Sequence, residues 1–216
     1  MLENINTKIL ASRQETEKRM EFYELYSKCP IPKNEILTNL GLFLNRQTLS
    51  RMLFINKIYK KIINTHGIVI EFGSRWGQNL ALFSSFRGIY EPFNLNRKIV
   101  GFDTFSCFAR VSAEDGTDSV AKLGAYNVTD NYEIYLESIL EYHNFESPIN
   151  HLKKYELVKG DVNVTLDKYL EQNPETIISL AYFDLDLYEP TKTCLTKILK
   201  HITKGSIIAF DELNCR

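Results

Sequence analysis

Short apolar runs alternate with longer stretches of helical spacing along most of this chain. Five apolar runs predict buried strands, and the first four are followed, directly or after a loop, by a segment with helical periodicity. Strands that alternate with helices are typical of a parallel sheet covered on both faces. The pattern therefore predicts an α/β fold, a doubly wound, Rossmann-like, mostly parallel sheet, with strands at residues 68–70, 99–102, 155–158, 177–183 and 206–210.

The N-terminal part of the chain shows helical spacing only. Residues 5–28 are rich in charge, residues 34–46 form a shorter apolar helix or loop, and residues 47–64 carry a broad apolar face. We expect residues 1–64 to be an N-terminal helical extension or lid, and residues 65–216 to be the Rossmann-like domain. Packing against the sheet is the default role of the extension, and a lid or a dimerisation surface is the alternative.

The composition fits one globular domain with a sizeable core, since 44% of the 216 residues are hydrophobic and 25% are charged. The formal net charge is −1, so no overall field draws nucleic acid or an anionic membrane. No apolar run reaches the roughly 18 residues of a transmembrane helix, and the N-terminus lacks the regions of a signal peptide. The four cysteines form no Cys-x-x-Cys pair, which favours reduced thiols in a cytoplasmic protein over disulfides or a zinc site.

The most informative stretch is residues 65–80, THGIVIEFGSRWGQNL. A β-branched strand ends at Glu71, a glycine turn runs from Gly73 to Gly77, and a helical pattern follows. Such a unit binds nucleotide-like ligands, because the turn lets the backbone approach the ligand and the helix start offers N–H groups to an anionic group. The carboxylate of Glu71 favours a ligand that carries an ammonium group. The alternative is a tight turn without a ligand, since the spacing is not the Gly-x-Gly-x-x-Gly of nicotinamide-binding domains.

Acidic residues also follow the second and third predicted strands. Asp103 is placed to accept hydrogen bonds from both hydroxyls of a ribose, and it equally fits a cap of the turn before Phe105. Asp161 follows Gly160, where it is placed to contact the amino group of an adenine or simply to close a turn. Both positions extend the nucleoside-binding interpretation to neighbouring strands.

A denser group of carboxylates follows the last two predicted strands. Asp184 and Asp186 come after the fourth strand. Asp211 and Glu212 come after the fifth, and we expect them to meet Asp184 because parallel strands end at the same edge of a sheet. Hard oxygen ligands in such a cluster favour Mg²⁺ or Ca²⁺. The alternative assigns these residues to turns and helix caps, with Asp186 or Glu189 capping the next helix.

The remaining segments are predicted as connections. Residues 88–97 lengthen the path to the second strand and are interpreted as a surface loop. Residues 106–129 show little periodicity, and long loops often cover active sites. A helix predicted at residues 191–201 is expected to stop at Gly205, before the fifth strand.

The order of these motifs resembles the class I S-adenosylmethionine-dependent methyltransferases, and within them the macrocin O-methyltransferase (TylF/MycF-like) family. The resemblance covers roughly residues 45–214. Its most specific part is DLDLYEPT followed by a strand that ends in an acidic pair, and the glycine motif is less specific. The matching stretches, in family order, are VIEFGSRWGQNL, KIVGFDTF, YNVTDNYEIYLESIL, LVKGDVNVTL, FDLDLYEPT and IIAFDELN.

The resemblance implies a Mg²⁺-dependent O-methyltransferase that acts on a hydroxyl of a sugar or glycosylated metabolite. Asp184, Asp211 and Glu212 would bind Mg²⁺, which lowers the pKa of the acceptor hydroxyl, and Asp184 would also serve as general base. Family members form oligomers through N-terminal helices, so a homo-oligomer is expected. S-adenosylmethionine would bind through Glu71, Gly73, Ser74, Arg75 and Trp76 on its methionine part, Asp103 on its ribose and Asp161 on its adenine, with Thr104 and Val162 in the same site.

Two features depart from the family pattern. Glu212 stands where the family usually has aspartate. The chain also stops at Arg216, just after the fifth strand, so the helix and antiparallel strands that normally follow are expected to be absent. A cephalosporin-hydroxylase-like relative is the alternative enzyme, and a non-catalytic nucleoside-binding or assembly subunit is the alternative outside enzymes.

Overall fold

A computed structural model of the chain describes residues 11–106 and 128–211. Contacts group the described residues up to Leu53 into one compact unit and those from Phe54 onward into another. The two compact units divide between Leu53 and Phe54, ahead of the domain boundary that the sequence predicts between residues 64 and 65. The predicted domain boundary stays a prediction. No described helix is both long enough and apolar enough to cross a membrane.

Helices make up the N-terminal unit. Helix α1 (Arg13–Ser27) begins with a capping box: the Glu15 N–H donates to Ser12 Oγ, and the Ser12 N–H donates to the Glu15 carboxylate. No residue of α1 or of the next two helical segments is buried. After α1 come the single turn α2 (Lys33–Ile36), a 3₁₀ helix (Leu37–Phe43) and α3 (Arg46–Ile62), which continues into the second unit.

A sheet of five parallel strands forms the centre of the second unit. The strands are β1 (Ile68–Phe72), β2 (Ile99–Asp103), β3 (Tyr155–Lys159), β4 (Ile178–Phe183) and β5 (Ile202–Phe210). They lie in the order β3-β2-β1-β4-β5, with every neighbouring pair parallel. The predicted doubly wound sheet is therefore confirmed. Its strand order reverses between β1 and β4, the point where such sheets bind their ligands.

Helices cover both faces of the sheet, and each face buries its own apolar cluster. The second unit adds the helices α4 (Gln78–Tyr90), α5 (Tyr132–Phe145), α6 (Val162–Gln172) and α7 (Tyr188–Ile198). Side chains of α3, α4 and α5 form the core on one face, and those of α6 and α7 form it on the other. Strand β4 is buried along its whole length, as expected for a central parallel strand.

Helix α7 begins earlier than predicted, at Tyr188. Its N-cap residue is Leu187, whose side chain makes no capping hydrogen bond. The alternative that placed Asp186 or Glu189 at the N-cap position is therefore wrong. Pro190 lies within the first turn, where a missing N–H costs no hydrogen bond, so it marks the helix start without defining the first residue.

Strand β5 also begins earlier than predicted, and Gly205 lies inside it instead of ending a helix. Ile178 pairs with Ile202, but Leu180 pairs with Ile207, so the strand bulges between the two pairs. Gly205 adopts a φ of +94° within the bulge, a conformation that favours glycine. A glycine before an apolar run thus marks an irregularity inside the strand.

A buried ion pair lies at the amino end of the sheet. The side chains of Arg97 and Glu91 are 1% and 5% exposed, and Arg97 Nε lies 2.9 Å from Glu91 Oε2. The Tyr59 hydroxyl donates to the same carboxylate at 2.8 Å. Arg97 also donates to the carbonyl oxygens of Ile62 and Thr65, both at 2.9 Å. The guanidinium therefore satisfies the open carbonyls where α3 ends.

The prediction of a surface loop at residues 88–97 is wrong at both ends. Residues 88–90 are the last turn of α4, and Glu91 and Arg97 are buried. The middle of the segment is exposed at Phe93 and Leu95, and Ile89 is exposed on the last turn of α4. The polar ends are buried because they pair with each other.

Candidate active site

Four acidic residues lie at the carboxyl edge of the sheet. Glu71 is the second-last residue of β1, and Asp103 is the last residue of β2. Asp184 and Asp211 directly follow β4 and β5. The structure thus brings together, beside the reversal of strand order, four of the residues that the sequence singled out.

The glycine turn begins with a very close backbone approach. The Gly73 N–H donates to the carbonyl oxygen of Phe102 at 2.9 Å, and Gly73 has a φ of +86°. A Cβ atom at this position would lie 1.9 Å from the carbonyl oxygen of Asp184. Only glycine fits here, and the turn is held between the ends of β2 and β4.

Glu71 is buried together with a second polar side chain. It is 1% exposed, and its Oε1 accepts a hydrogen bond from Asn79 Nδ2, in the first turn of α4, at 2.7 Å. Asn79 Oδ1 and Ser74 Oγ are also buried, and neither has a hydrogen-bond partner among the described residues. Buried polar atoms are normally hydrogen-bonded. A ligand with several donors, such as an ammonium group, would complete this cluster.

Asp103 is tied to the backbone of the neighbouring turns. Its Oδ2 accepts from the Arg75 N–H at 2.7 Å, and its Oδ1 accepts from the Phe105 N–H at 2.6 Å. Burial raises the pKa of this carboxyl group, and the backbone hydrogen bonds oppose that change. The bond to Phe105 matches the capping alternative, and the bond to Arg75 joins β2 to the glycine turn. Binding of a ribose by Asp103 stays a prediction.

Asp184 and Asp211 lie side by side, one residue beyond the ends of β4 and β5. The Asp184 N–H donates to the Phe72 carbonyl oxygen at 2.8 Å, and the Asp211 N–H donates to the Phe183 carbonyl oxygen at 3.0 Å. The carboxylate of Asp211 also accepts a hydrogen bond from the hydroxyl of Tyr182. These bonds continue the register of the sheet beyond the strands.

The chemistry of these two carboxylates fits a hard divalent cation such as Mg²⁺. Glu212, the third predicted ligand, lies outside the described residues. Within residues 11–106 and 128–211, no group of three or more His, Cys, Asp or Glu side chains is arranged to hold a metal ion. Metal binding by Asp184, Asp211 and Glu212 therefore stays a prediction.

Aromatic side chains surround the middle of the glycine turn. The rings of Trp76 and Tyr132 are perpendicular, with centroids 4.7 Å apart, and the Tyr132 hydroxyl donates to the Trp76 carbonyl oxygen at 3.0 Å. Trp76 is still 42% exposed, and the Arg75 guanidinium lies 5.9 Å from its ring centroid. The start of α5 thus supports the turn, and Trp76 stays partly exposed among the described residues.

The other predicted cofactor residues have local roles in the structure. Asp161 caps α6, and its Oδ1 accepts from the Asn163 N–H at 2.9 Å. The side chain of Val162 packs in the core, and Thr104 Oγ1 donates to the Ser106 carbonyl oxygen at 2.9 Å. Their predicted contacts with a cofactor stay predictions.

Two site residues were missed in the sequence. Asn79 had a usable signal, since it follows the glycine turn by two residues and interrupts the apolar face of a helix. Tyr182 gave a weaker signal, because a tyrosine within an apolar strand also fits a simple core position. The contacts of both residues depend on elements distant in the sequence.

Solved structures with a similar fold are known, and three of them are compared with this chain by sequence identity and TM-score. The structure of CalS11, a calicheamicin methyltransferase, is 43% identical with a TM-score of 0.91, over 94% of this chain and 80% of that one. An apo structure of CalS11, named there as a TDP-rhamnose 3'-O-methyltransferase of calicheamicin biosynthesis, is 40% identical with a TM-score of 0.81 over the same shares.

A more distant structure supports the fold alone. The O-methyltransferase NovP is 19% identical with a TM-score of 0.54, over 74% of this chain and 64% of that one. No protein-family model and no curated protein matches the chain. The similarity to CalS11 includes most of both chains, so it extends over the sheet and its carboxyl edge.

Proposed function

The chain belongs to the S-adenosylmethionine-dependent O-methyltransferases that include CalS11, and we propose that it methylates a sugar hydroxyl with the help of Mg²⁺. The observation that carries this proposal is the group of acidic residues around the glycine turn, Glu71, Asp103, Asp184 and Asp211. The acceptor class is proposed because CalS11 is named for methylation of a nucleotide-linked deoxysugar. The narrower assignment to the macrocin O-methyltransferase (TylF/MycF-like) family belongs to the same proposal.

Glu71, Asn79 and Ser74 are proposed to hold the methionine part of the cofactor. The cluster contains one buried carboxylate and two buried oxygens that lack partners among the described residues, which suits an ammonium group. The carboxylate of the cofactor would meet the first N–H groups of α4, a favourable position for an anion. Arg75 and Trp76 would border the same part of the site.

The nucleoside part is proposed to lie across the next two strands. Asp103 and Thr104 would face the ribose, and Asp161 and Val162 would border the adenine. The backbone hydrogen bonds to Asp103 hold its carboxylate at the edge of β2 before any ligand arrives. A preorganised carboxylate loses little freedom when it binds.

Asp184, Asp211 and Glu212 are the proposed ligands of the metal. When bound, Mg²⁺ would act as a Lewis acid that lowers the pKa of the acceptor hydroxyl, and the sulfonium cofactor would supply an activated methyl group. Asp184 would accept the hydroxyl proton as general base. The remaining task of the chain is to align the acceptor oxygen with the methyl carbon and to exclude water.

Calorimetric titration with S-adenosylmethionine tests the donor site. We expect the unchanged chain to bind and Glu71→Ala to lose binding at least tenfold, because the substitution removes the carboxylate partner of the ammonium group. Glu175→Ala is the matched control, since Glu175 is exposed and precedes β4 at the opposite end of the sheet. Equal affinity of Glu71→Ala and the unchanged chain would contradict the assignment.

Turnover with TDP-rhamnose, with Mg²⁺ or with a chelator, tests the acceptor and the metal. Methyl transfer that stops with the chelator is the expected result. Cofactor binding without turnover on any nucleotide-linked sugar would favour a non-catalytic subunit. Turnover that persists with the chelator would remove the metal from the proposal and leave the methyltransferase activity.

A homo-oligomer is proposed from the surface of the N-terminal unit. Helix α1 buries none of its residues, and the large apolar side chains Met20, Phe22, Tyr23, Leu25 and Tyr26 are exposed. Exposed apolar patches of this kind mark interaction surfaces, and a second copy of this chain is the proposed partner. Sedimentation equilibrium should give a mass above the 25.1 kDa of one chain, and a mass of one chain would contradict the proposal.

The cytoplasm remains the proposed location. Among the described residues, Cys29 and Cys194 are free thiols. Free cysteines are the usual state in a reducing compartment.

A further inference from the structure

Two residues of β4, Ser179 and Tyr182, carry a hydroxyl group. The hydroxyl of Tyr182 points at a carboxylate of the proposed metal site. The Tyr182 side chain is 0% exposed, and its O–H donates to Oδ1 of Asp211. Ser179, the other hydroxyl residue of β4, bonds to the carbonyl oxygen of Ile68 at the amino end. The Tyr182 hydroxyl is therefore directed specifically at the carboxyl edge.

A buried hydroxyl at this position needs a reason. Burial of a polar group costs free energy unless a hydrogen bond compensates it. Phenylalanine fills nearly the same volume without that cost, and Phe183 occupies the next position of the same strand. The hydroxyl of Tyr182 is thus explained by its acceptor, Asp211, and not by packing alone.

Packing fixes the direction in which the hydroxyl points. Tyr182 pairs with Glu71 of β1 on one side and with Ala209 of β5 on the other. Its ring meets the ring of Phe83 at 68°, with centroids 6.2 Å apart. A ring held between two strands and a helix leaves the O–H little freedom, so the position of Asp211 follows from the position of the ring.

Asp211 is held at two points as a result. Its backbone N–H donates to the Phe183 carbonyl oxygen at 3.0 Å, and its side chain accepts from Tyr182. Carboxylates that bind metals are themselves commonly oriented by such hydrogen bonds, and loss of the orienting group typically weakens metal binding about 10–100-fold.

We propose that Tyr182 is a positioning residue of the metal site, which holds the carboxylate of Asp211 in place for a divalent cation. This inference rests on the proposed function, because it needs the proposed metal site. It adds a residue of the buried strand to that site and links the site to the core.

Mn²⁺, which electron paramagnetic resonance detects directly, is the probe for the test. We expect Tyr182→Phe to weaken Mn²⁺ binding about tenfold, while the affinity for S-adenosylmethionine changes less than about twofold. The substitution removes one oxygen atom and keeps the ring, so the melting temperature is recorded beside the titration to separate loss of folding from loss of metal binding.

Tyr59→Phe is the matched control. Tyr59 is also fully buried, and its hydroxyl also donates to a carboxylate, that of Glu91, at the opposite end of the sheet. We expect this variant to melt at a lower temperature with unchanged Mn²⁺ affinity. If both variants weaken Mn²⁺ binding equally, the effect of Tyr182 is merely structural and the inference is overturned.

The result for the unchanged chain distinguishes failure of the metal site from failure of the positioning role of Tyr182. If the unchanged chain binds Mn²⁺ and Tyr182→Phe binds it equally well, the positioning role fails and the metal site stands. If the unchanged chain binds no Mn²⁺, the metal part of the proposed function fails, and the positioning role fails with it.

Discussion

The two ends of the sheet hold buried carboxylates in different ways. At the amino end, Glu91 accepts hydrogen bonds from the guanidinium of Arg97 and from the phenol of Tyr59. At the carboxyl edge, the described hydrogen bonds come from uncharged donors, namely the Asn79 amide to Glu71, backbone N–H groups to Asp103 and the Tyr182 phenol to Asp211.

This difference distinguishes a carboxylate that stabilises the fold from carboxylates that are proposed to bind a ligand. The ion pair with Arg97 neutralises the charge of Glu91, so this carboxylate stabilises the fold. Hydrogen bonds from uncharged donors hold a carboxylate in place without cancelling its negative charge. The same type of group therefore stabilises the fold at one end, and at the other end it belongs to the proposed site for the cofactor and the metal.

The largest effect is expected when the ion pair at the amino end is broken. Arg97→Met removes the hydrogen bonds to Ile62, Thr65 and Glu91 and leaves the Glu91 carboxylate buried without its cation. We expect the free energy of unfolding to fall by about 3–5 kcal/mol, as for other buried pairs that lose one partner. Urea denaturation measures this change.

Lys98→Met provides the control for that experiment. Lys98 pairs with Glu156, and both side chains are about one third exposed. Loss of a pair this accessible to water should cost about 1 kcal/mol or less. Equal losses in the two variants would show that burial does not distinguish the amino-end pair.

At the carboxyl edge, Gly73→Ala is expected to cost less stability than Arg97→Met and to weaken cofactor binding more. Gly73→Ala places a Cβ atom 1.9 Å from the Asp184 carbonyl oxygen and requires a φ of +86°. We expect a loss of about 1–3 kcal/mol in the free energy of unfolding and at least tenfold weaker S-adenosylmethionine binding. Thermal melting and calorimetry measure the two quantities.

The matched glycine for this comparison is Gly88, inside α4. No atom lies within 4 Å of a Cβ at that position, and alanine favours a helix by up to about 1 kcal/mol over glycine. Gly88→Ala should therefore keep or raise stability and bind the cofactor normally. A binding defect in this variant would show that the assay responds to general changes in the fold.

The smallest expected effect is the loss of stability at acidic pH when Glu91 becomes protonated. Burial favours the neutral form of Glu91, but the hydrogen bonds from Arg97 and Tyr59 outweigh it and lower the pKa below its ordinary value of 4.5. The folded chain thus holds this proton more weakly than the unfolded chain, so the stabilisation is present above pH 4.5 and is lost as the pH falls through the folded-state pKa. Each unit by which the folded state lowers a pKa corresponds to about 1.4 kcal/mol in the free energy of unfolding.

Denaturation between pH 7 and pH 3 measures this loss. Glu91→Gln is the comparison, because it cannot titrate at this position. The variant should lose less stability than the unchanged chain over the same range. If the free energy of unfolding falls equally with pH in Glu91→Gln and in the unchanged chain, other carboxyl groups cause the acid sensitivity.

The periodicity of the chain was sufficient to predict the sheet, because the strands are local apolar runs. Ile178 to Phe183 is buried on both faces, and its sequence is almost continuously apolar. The start of α7 at Tyr188 and the bulge at Gly205 were missed, because proline and glycine are compatible with several backbone positions.

The site was predictable only at the level of which residues come together. The strand ends place Glu71, Asp103 and Asp184 at one edge for topological reasons. Their hydrogen bonds depend on residues such as Asn79 and Tyr182, whose contacts arise only when distant elements pack. The predicted cover at residues 106–129 falls almost entirely outside the described residues.

The pairing of β1 with β4 has a consequence for synthesis of the chain on the ribosome. Ile70 pairs with Ala181, so one edge of β1 waits uncovered while the residues between them are made. Until β4 emerges, the nascent chain presents an unpaired strand edge and a half-covered apolar face, the features that promote aggregation. The need for chaperones during translation is expected to be greatest just before β4 appears and to fall once β4 pairs with β1, after which β5 covers the other edge of β4.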